Sequence, residues 1–470
     1  MEYLENRTFD EIQIGDTDSL TRTLTEKDIQ VFAIMSGDIN PAHVDIEYAQ
    51  SDMFHKIIGH GMWGGALIST VLGTQLPGPG TIYVGQTIRF KRPVGIGDTL
   101  TVKVTATEKN PEKKRVTFAC EVRNQDNDMV MEGQAEVVAP VKKIRRLKAV
   151  LPHIALRRPY SLFDPYLTEA KKIGPLRAGV IHPVHAKIIE AVHDAQRSGF
   201  IIPVLMGKKE LILRAAQEAE IDVSDYEIID VEHSHLAAVK AIALARSGEV
   251  GMLVRGGVTK EELLHAMQKP DKGLMTERHM SYVLVLDVPT YPKALILTDP
   301  MVNVDPGLEV KRGITQNAID FAKALGVEQP KVAILAGMDN VSPAMRSTVD
   351  AAGLCKMAER GQIKGGILDG PLTFDNVISA EVAQSKGITS PVIGDADILV
   401  VPSVETGNIL AEQLEYLAES RNAGLLLGSR VPVLMSRIND VYSSTVACAL
   451  AILSVDHHKK EAVKLSKELS

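Results

Sequence analysis

Cysteine is scarce in this chain. The three that occur among 470 residues, Cys120, Cys355 and Cys448, are far apart and in no metal-ligand spacing. Neither a disulfide framework nor a zinc site is therefore expected, and a reducing cytoplasm fits best. Long apolar runs are missing as well: none reaches the roughly 18 residues of a membrane span. The longest candidate, near Val441 to Val455, is broken by serines and followed by Asp456-His457-His458. The first residues, Met1-Glu2-Tyr3-Leu4-Glu5-Asn6-Arg7, lack the apolar stretch of a signal peptide, so no export is expected. There is no excess of positive charge, the formal net charge being -7, so no global field favours nucleic acid or an anionic membrane. For the C-terminal half, the sequence offers no convincing dinucleotide fingerprint such as Gly-x-Gly-x-x-Gly between strand and helix, which counts against a dinucleotide enzyme there. Internal repeats and low-complexity tracts are lacking too.

What is present is ordinary globular chemistry, with 45% apolar and 24% charged residues. The length corresponds to about three structural domains. In residues 8–140, Thr25 reads as the N-cap of a helix, and Gly61 to Gly73 is apolar nearly all round, as in a helix buried on most sides. The segments Tyr83 to Arg92, Thr99 to Thr107, Arg115 to Arg123 and Met129 to Val138 then alternate apolar and polar side chains. A buried helix followed by an antiparallel meander predicts an α+β unit, a sheet wrapped around a helix.

Residues 141–170 read as a basic, proline-punctuated linker containing Lys142-Lys143-Ile144-Arg145-Arg146. Without interleaved aromatics in an acidic protein, a solvated connector is favoured over a nucleic-acid patch. Strands and helices alternate over residues 171–470. Continuous apolar strands such as Tyr282 to Leu286, Val332 to Leu335 and Ile398 to Val401 predict an α/β sheet covered on both faces, with two subdomains and a cleft between them.

The stretch Ser36-Gly37-Asp38-Ile39-Asn40-Pro41-Ala42-His43 sets a carboxylate and an imidazole five residues apart, where Gly37 and Pro41 prevent a continuous helix. Asp and His on a loop can be aimed at one point for acid/base work. The residue types fit equally a turn capped by Asp38 with His43 at the surface. Together with Gly59-His60-Gly61-Met62 and Leu76-Pro77-Gly78-Pro79-Gly80-Thr81, this block resembles the MaoC-like, R-specific enoyl-CoA hydratases of hotdog fold. The resemblance implies that Asp38 and His43 hold a water and add it across a trans-2-enoyl thioester. It implies too that Gly61 gives a backbone donor to the thioester oxygen, and that Asn40 and Ser69 orient the pair. A hotdog thioesterase would share the fold, but the Asp38/His43 block argues for the hydratase branch.

Roughly residues 160 to 460 resemble the phosphate acetyl/butyryltransferases, closest to the butyryl branch. Met357-Ala358-Glu359-Arg360-Gly361, Leu368-Asp369-Gly370-Pro371-Leu372, Glu405-Thr406-Gly407-Asn408 and Leu434-Met435-Ser436-Arg437 carry that resemblance. It implies two-lobed α/β architecture and acyl transfer between CoA sulfur and phosphate. Arg437 would pair the phosphate, Ser436 would bond the thioester or leaving sulfur, and Asn408 would add a polar contact. Two positions depart from the acetyltransferase branch. Ser443 stands where that branch keeps an acid, and Leu414 where it keeps an arginine, with Arg421 and Arg430 as stand-ins to consider.

The expected protein is thus a bifunctional, cytoplasmic homo-oligomer acting on enoyl-CoA, acyl-CoA and inorganic phosphate. It would need no metal or other cofactor and no nucleic-acid or membrane partner. The alternatives are an active hydratase whose C-terminal domain only binds CoA or drives oligomerisation, and a C-terminal fold relative of the decarboxylating dehydrogenases.

Overall fold

The computed structural model describes residues 2–150, 160–435 and 440–468. The chain divides into two compact units, Met1–Leu156 and Arg157–Ser470.

The first unit holds the helices α1 (Glu26–Ser36), α2 (Pro41–Val44), α3 (Ile46–Ser51) and α4 (Gly61–Thr74). Its strands are β1 (Tyr3–Glu5), β2 (Thr17–Thr23), β3 (Ile82–Phe90), β4 (Thr99–Asn110), β5 (Arg115–Arg123), β6 (Met129–Val138) and β7 (Arg145–Leu147). Five of them form an antiparallel sheet in the order β2-β4-β5-β6-β3. Alternation is visible along β4, where Leu100, Val102, Val104 and Ala106 are buried and pack with Trp63, Leu67, Ile68, Val71 and Leu72 of α4. Side chains two apart share one face of a strand, so this one run presents a continuous apolar strip to the helix. The sheet wrapped around a buried helix is the hotdog architecture expected. Gly133 lets β6 and β3 close up, since a Cβ there would lie 1.9 Å from the Thr87 carbonyl oxygen.

Part of the basic stretch is folded. Residues Arg145–Leu147 pair antiparallel with Tyr3–Glu5, Asn6 bonds Lys142 O and Ile144 N through its side chain, and Lys143 meets Glu5 and Glu11. A three-residue strand is too short to leave a periodic signal, and its partner lies some 140 residues away in sequence. At the other end of the expected linker, the helix Asp164–Ile173 buries Ala170 in the core of the second unit.

The second unit has β8 (Leu176–Ile181), β9 (Ile201–Gly207), β10 (Glu227–Asp230), β11 (Met252–Arg255), β12 (Ser281–Asp287), β13 (Leu295–Thr298), β14 (Lys331–Leu335), β15 (Ile367–Leu372), β16 (Ile398–Val400), β17 (Arg421–Leu427) and β18 (Val433–Leu434). They make one mixed sheet in the order β10-β9-β8-β11-β18-β17-β12-β13-β16-β14-β15. All seven residues of β12 are buried. Its near-continuous apolar sequence follows from having a core on each face. The lobes expected from the sequence share this sheet. Among the described residues no helix is long and apolar enough to cross a membrane.

Candidate functional site

Local chain chemistry assembles the first site. Thr25 caps α1 and takes part in a capping box with Asp28, and the helix stops at Gly37 in the left-handed region (φ 74°). That turn releases Asp38. Asn40 then caps α2, its Oδ1 accepting from Ala42 N at 3.1 Å, with Pro41 as the first helical residue. The Asn40 N–H donates to Asp38 Oδ1 at 3.3 Å. Asn40 therefore holds both partners through the backbone, fixing the carboxylate on one side and starting the turn that carries His43 on the other.

The His43 ring is tied by Nδ1 to Ile58 O at 2.8 Å. A carbonyl only accepts, so Nδ1 carries the hydrogen and Nε2 of the neutral ring is left bare to take a proton. The sequence did not single out a third participant, His60. It is 4% exposed, its Nε2 donates to the Asp38 carbonyl at 2.9 Å, and its ring lies 4.0 Å from that of His43 and 5.0 Å from Phe32. One ligand atom from each of Asp38, His43 and His60 lies within 4.8 Å of the others. A carboxylate with two imidazoles also suits a divalent transition metal. In the sequence His60 stands only as a member of the Gly59-His60-Gly61-Met62 block; it precedes α4 as N-cap residue but makes no side-chain cap.

Gly61 opens α4 beside this cluster, where the first-turn N–H groups have no partner within the helix. A Cβ on Gly61 would meet the Phe90 ring at 2.8 Å. Ser69 lies on the exposed side of the same helix, eight residues and so about 12 Å further along the axis. His60→Ala is expected to free the Asp38 backbone and the His43 ring together and to lower the turnover of the first site roughly tenfold to hundredfold. The far-ultraviolet circular dichroism should stay native.

In the second unit a cleft of about 1280 Å³ is walled by the turn after β11, the start of the helix Lys260–Met267, residues 300–304 and the helix Val404–Tyr416. Asn408 lines it, as does Met435, the residue before Ser436-Arg437. Ser436 and Arg437 themselves lie outside the described residues. Beyond them, Asp440 accepts from Ser443 N at 3.0 Å and Ser443 Oγ at 2.9 Å at the start of the helix Val441–Glu468. A carboxylate thus stands against the position where the sequence lacked one. Leu414 is a core residue, 8% exposed. Neither arginine considered as its stand-in lines the cleft. Arg421 lies over the rings of Tyr160 and Tyr442, and Arg430 lines a separate cavity of about 830 Å³.

All three cysteines are free. Burial pushes the thiols of Cys120 up to about 11 and of Cys355 and Cys448 up to about 12, which makes them poor nucleophiles at neutral pH.

The chain matches the family described as "Phosphate acetyl/butaryl transferase" over residues 233–452 and the one described as "MaoC like domain" over residues 13–127. It is similar to the phosphate acetyltransferase of Rhizobium meliloti, 45% identical over 294 residues that make up 62% of this chain and 93% of that protein. Similarity to the phosphate butyryltransferase of Clostridium beijerinckii is 37% over 298 residues, 63% of this chain and 99% of the relative. Among solved structures, a branched-chain phosphotransacylase from Enterococcus faecalis V583 shares 25% identity with a TM-score of 0.53, covering 60% of this chain and 100% of that one.

Proposed function

The chain belongs to the phosphate acetyl/butyryltransferase family and carries a MaoC-like domain ahead of the residues that place it there; from that premise we propose that it is a bifunctional acyl-CoA enzyme. The first unit hydrates trans-2-enoyl-CoA to (R)-3-hydroxyacyl-CoA, and the second moves an acyl group between CoA and inorganic phosphate.

The observation that carries the first half is the convergence of the Asp38 carboxylate and an imidazole whose tautomer leaves one nitrogen bare. A water held between them loses a proton as its oxygen bonds to C3, and a proton is delivered to C2. Charge builds on the thioester oxygen as the enolate forms, and the Gly61 N–H is the donor we assign to it. The acid/base pair performs this step with no metal. Asn40 sets the pair, and His60 backs it.

In the second half, phosphate held in line attacks the thioester carbonyl and displaces CoA, so no covalent enzyme intermediate is needed. Arg437 pairs the phosphate oxygens, Ser436 bonds the thioester, and Asn408 contacts the substrate from the cleft wall. Family membership of the unit, together with an open cleft beside Met435, supports this assignment.

Two measurements test the pair of activities on the full chain. Crotonyl-CoA should lose its enoyl absorbance, and thiol should be released from acetyl-CoA or butyryl-CoA only when phosphate is added. With the protein's own thiols held protonated by burial, a thiol reagent reads CoA with little background. No phosphate-dependent release from either acyl-CoA would leave the second unit as a CoA-binding or oligomerisation module.

A further inference from the structure

The cavity that Arg430 lines belongs to neither site described above. It holds about 830 Å³, within the roughly 300–1,000 Å³ range of small-molecule sites. Its walls come from the end of the helix Ser234–Ser247, the loop before β12, the helix Leu308–Ala324, the β17–β18 hairpin and the helix Val441–Glu468. The strand β11 separates it from the cleft of the second unit. Val250, ahead of that strand, lines the cavity, and Gly256, directly after it, lines the cleft. Nearly extended chain over that interval puts the two about 20 Å apart.

The charge of this cavity runs against that of the chain. The protein has a formal net charge of -7, yet the lining carries four cations, Arg246, Arg278, Arg430 and Lys459, against two carboxylates, Glu277 and Asp320. One cation is neutralised in place, since Arg278 pairs with Asp320 and also donates to Asn317 Oδ1 at 3.4 Å. Arg246 has a neutral partner, its Nη1 donating to the Gly273 carbonyl at 3.0 Å. Among the described residues the side chains of Arg430 and Lys459 have no partner, and Glu277 forms no ion pair with any of the four. Three cations gathered without a counter-charge repel one another, so an anion seated among them removes that repulsion as well as gaining contacts.

Backbone bonds set the walls beforehand. Thr276 Oγ1 donates to Gly428 O at 2.8 Å, Met275 and Ser429 form a bridge, and Arg430 N donates to Leu274 O at 3.0 Å. The Arg246 guanidinium and the Arg430 backbone therefore meet on one dipeptide, Gly273-Leu274. Lys459 comes from the helix Val441–Glu468, as does His458, whose Nδ1 donates to Ser454 O at 2.7 Å. Apolar surface from Leu176, Val250, Phe321 and Val431 completes the lining.

We propose that this cavity binds a small organic molecule carrying two phosphate groups, with Arg246, Arg430 and Lys459 on the phosphates and the apolar residues against its body. A guanidinium fork matches two oxygens of one phosphate, and cations arriving from three separate elements suit two phosphate groups better than one.

The test is isothermal titration calorimetry of the full-length protein with ADP and with fructose 1,6-bisphosphate. At least one should bind, and Arg430→Ala and Lys459→Ala should each weaken it about tenfold. Tighter binding of ADP identifies a nucleoside diphosphate, and tighter binding of the sugar identifies a sugar bisphosphate; either supports the site. Both side chains are exposed and the two variants should melt like the wild type. The control is Lys460, which pairs with Asp456 at 2.6 Å and does not line the cavity. Lys460→Ala makes the same change in net charge as Lys459→Ala and should leave the affinity within about twofold. The proposal is overturned if neither probe binds. Binding that either cavity variant leaves unchanged also overturns it, by putting the probe in the cleft or elsewhere. An equal loss in Lys460→Ala does the same, by marking an unspecific effect of charge. None of these readouts requires hydration or acyl transfer, so failure here leaves both activities standing.

Discussion

Asp38→Asn is expected to lower the rate of crotonyl-CoA hydration by about 10²- to 10⁴-fold, the range contributed by a positioned acid/base group. The substitution is nearly isosteric. An asparagine Oδ1 can still accept from Asn40 N, the bond that now holds Asp38, and the carbonyl that receives His60 Nε2 is backbone and unaffected. What disappears is the ability to take a proton from water. Little change in the enoyl-CoA KM is expected, because the carboxylate is assigned to the chemical step and not to binding. Phosphate-dependent thiol release provides the internal reference, since it depends on residues of the other unit and should run at the wild-type rate. Full hydratase activity in the variant would remove Asp38 from the mechanism.

The largest stability effect is expected from Asp350→Ala. In the second unit, Lys311 Nζ lies 2.8 Å from Asp350 Oδ2, with only 5% and 9% of the two side chains exposed. The pair joins the helices Leu308–Ala324 and Arg346–Glu359, and Arg346 Nε adds a longer contact to the same carboxylate at 3.5 Å. Removing the carboxylate leaves an ammonium in the core with no compensating charge, which costs about 3–5 kcal/mol. Differential scanning calorimetry should show the transition of the second unit lowered by roughly 5–8 °C. The double substitution Lys311→Met with Asp350→Leu should recover most of the loss, because burying two apolar groups is no worse than burying a matched ion pair. A drop in the single variant below about 1 kcal/mol, the size of a surface pair, would contradict this.

The architecture was legible where side-chain periodicity is enforced along a whole element. β4 alternates because one face meets α4, and β12 is apolar throughout because both faces are covered. Asp38 and His43 were legible as a pair because Gly37 and Pro41 force the chain to turn between helices, and the turn geometry follows from those two residues. His60 was not. Its role comes from a hydrogen bond to a carbonyl 22 residues away and from a tilted ring contact with His43, contacts with no spacing rule. Asp440 against Ser443 shows the converse: position 443 carries no acid, yet a carboxylate three residues before it accepts from its N–H and hydroxyl as a helix cap.

The pairing of Tyr3–Glu5 with Arg145–Leu147 bears on how the halves can be separated. A hydratase piece ended at residue 140 would leave β1 with a bare edge, strip Asn6 of both its backbone partners and expose Tyr3 where Arg145 now covers its ring. The two ends of the unit act as a clasp. A cut after Leu147 keeps it shut, and trimming the first six residues from the intact chain would open it from the other side.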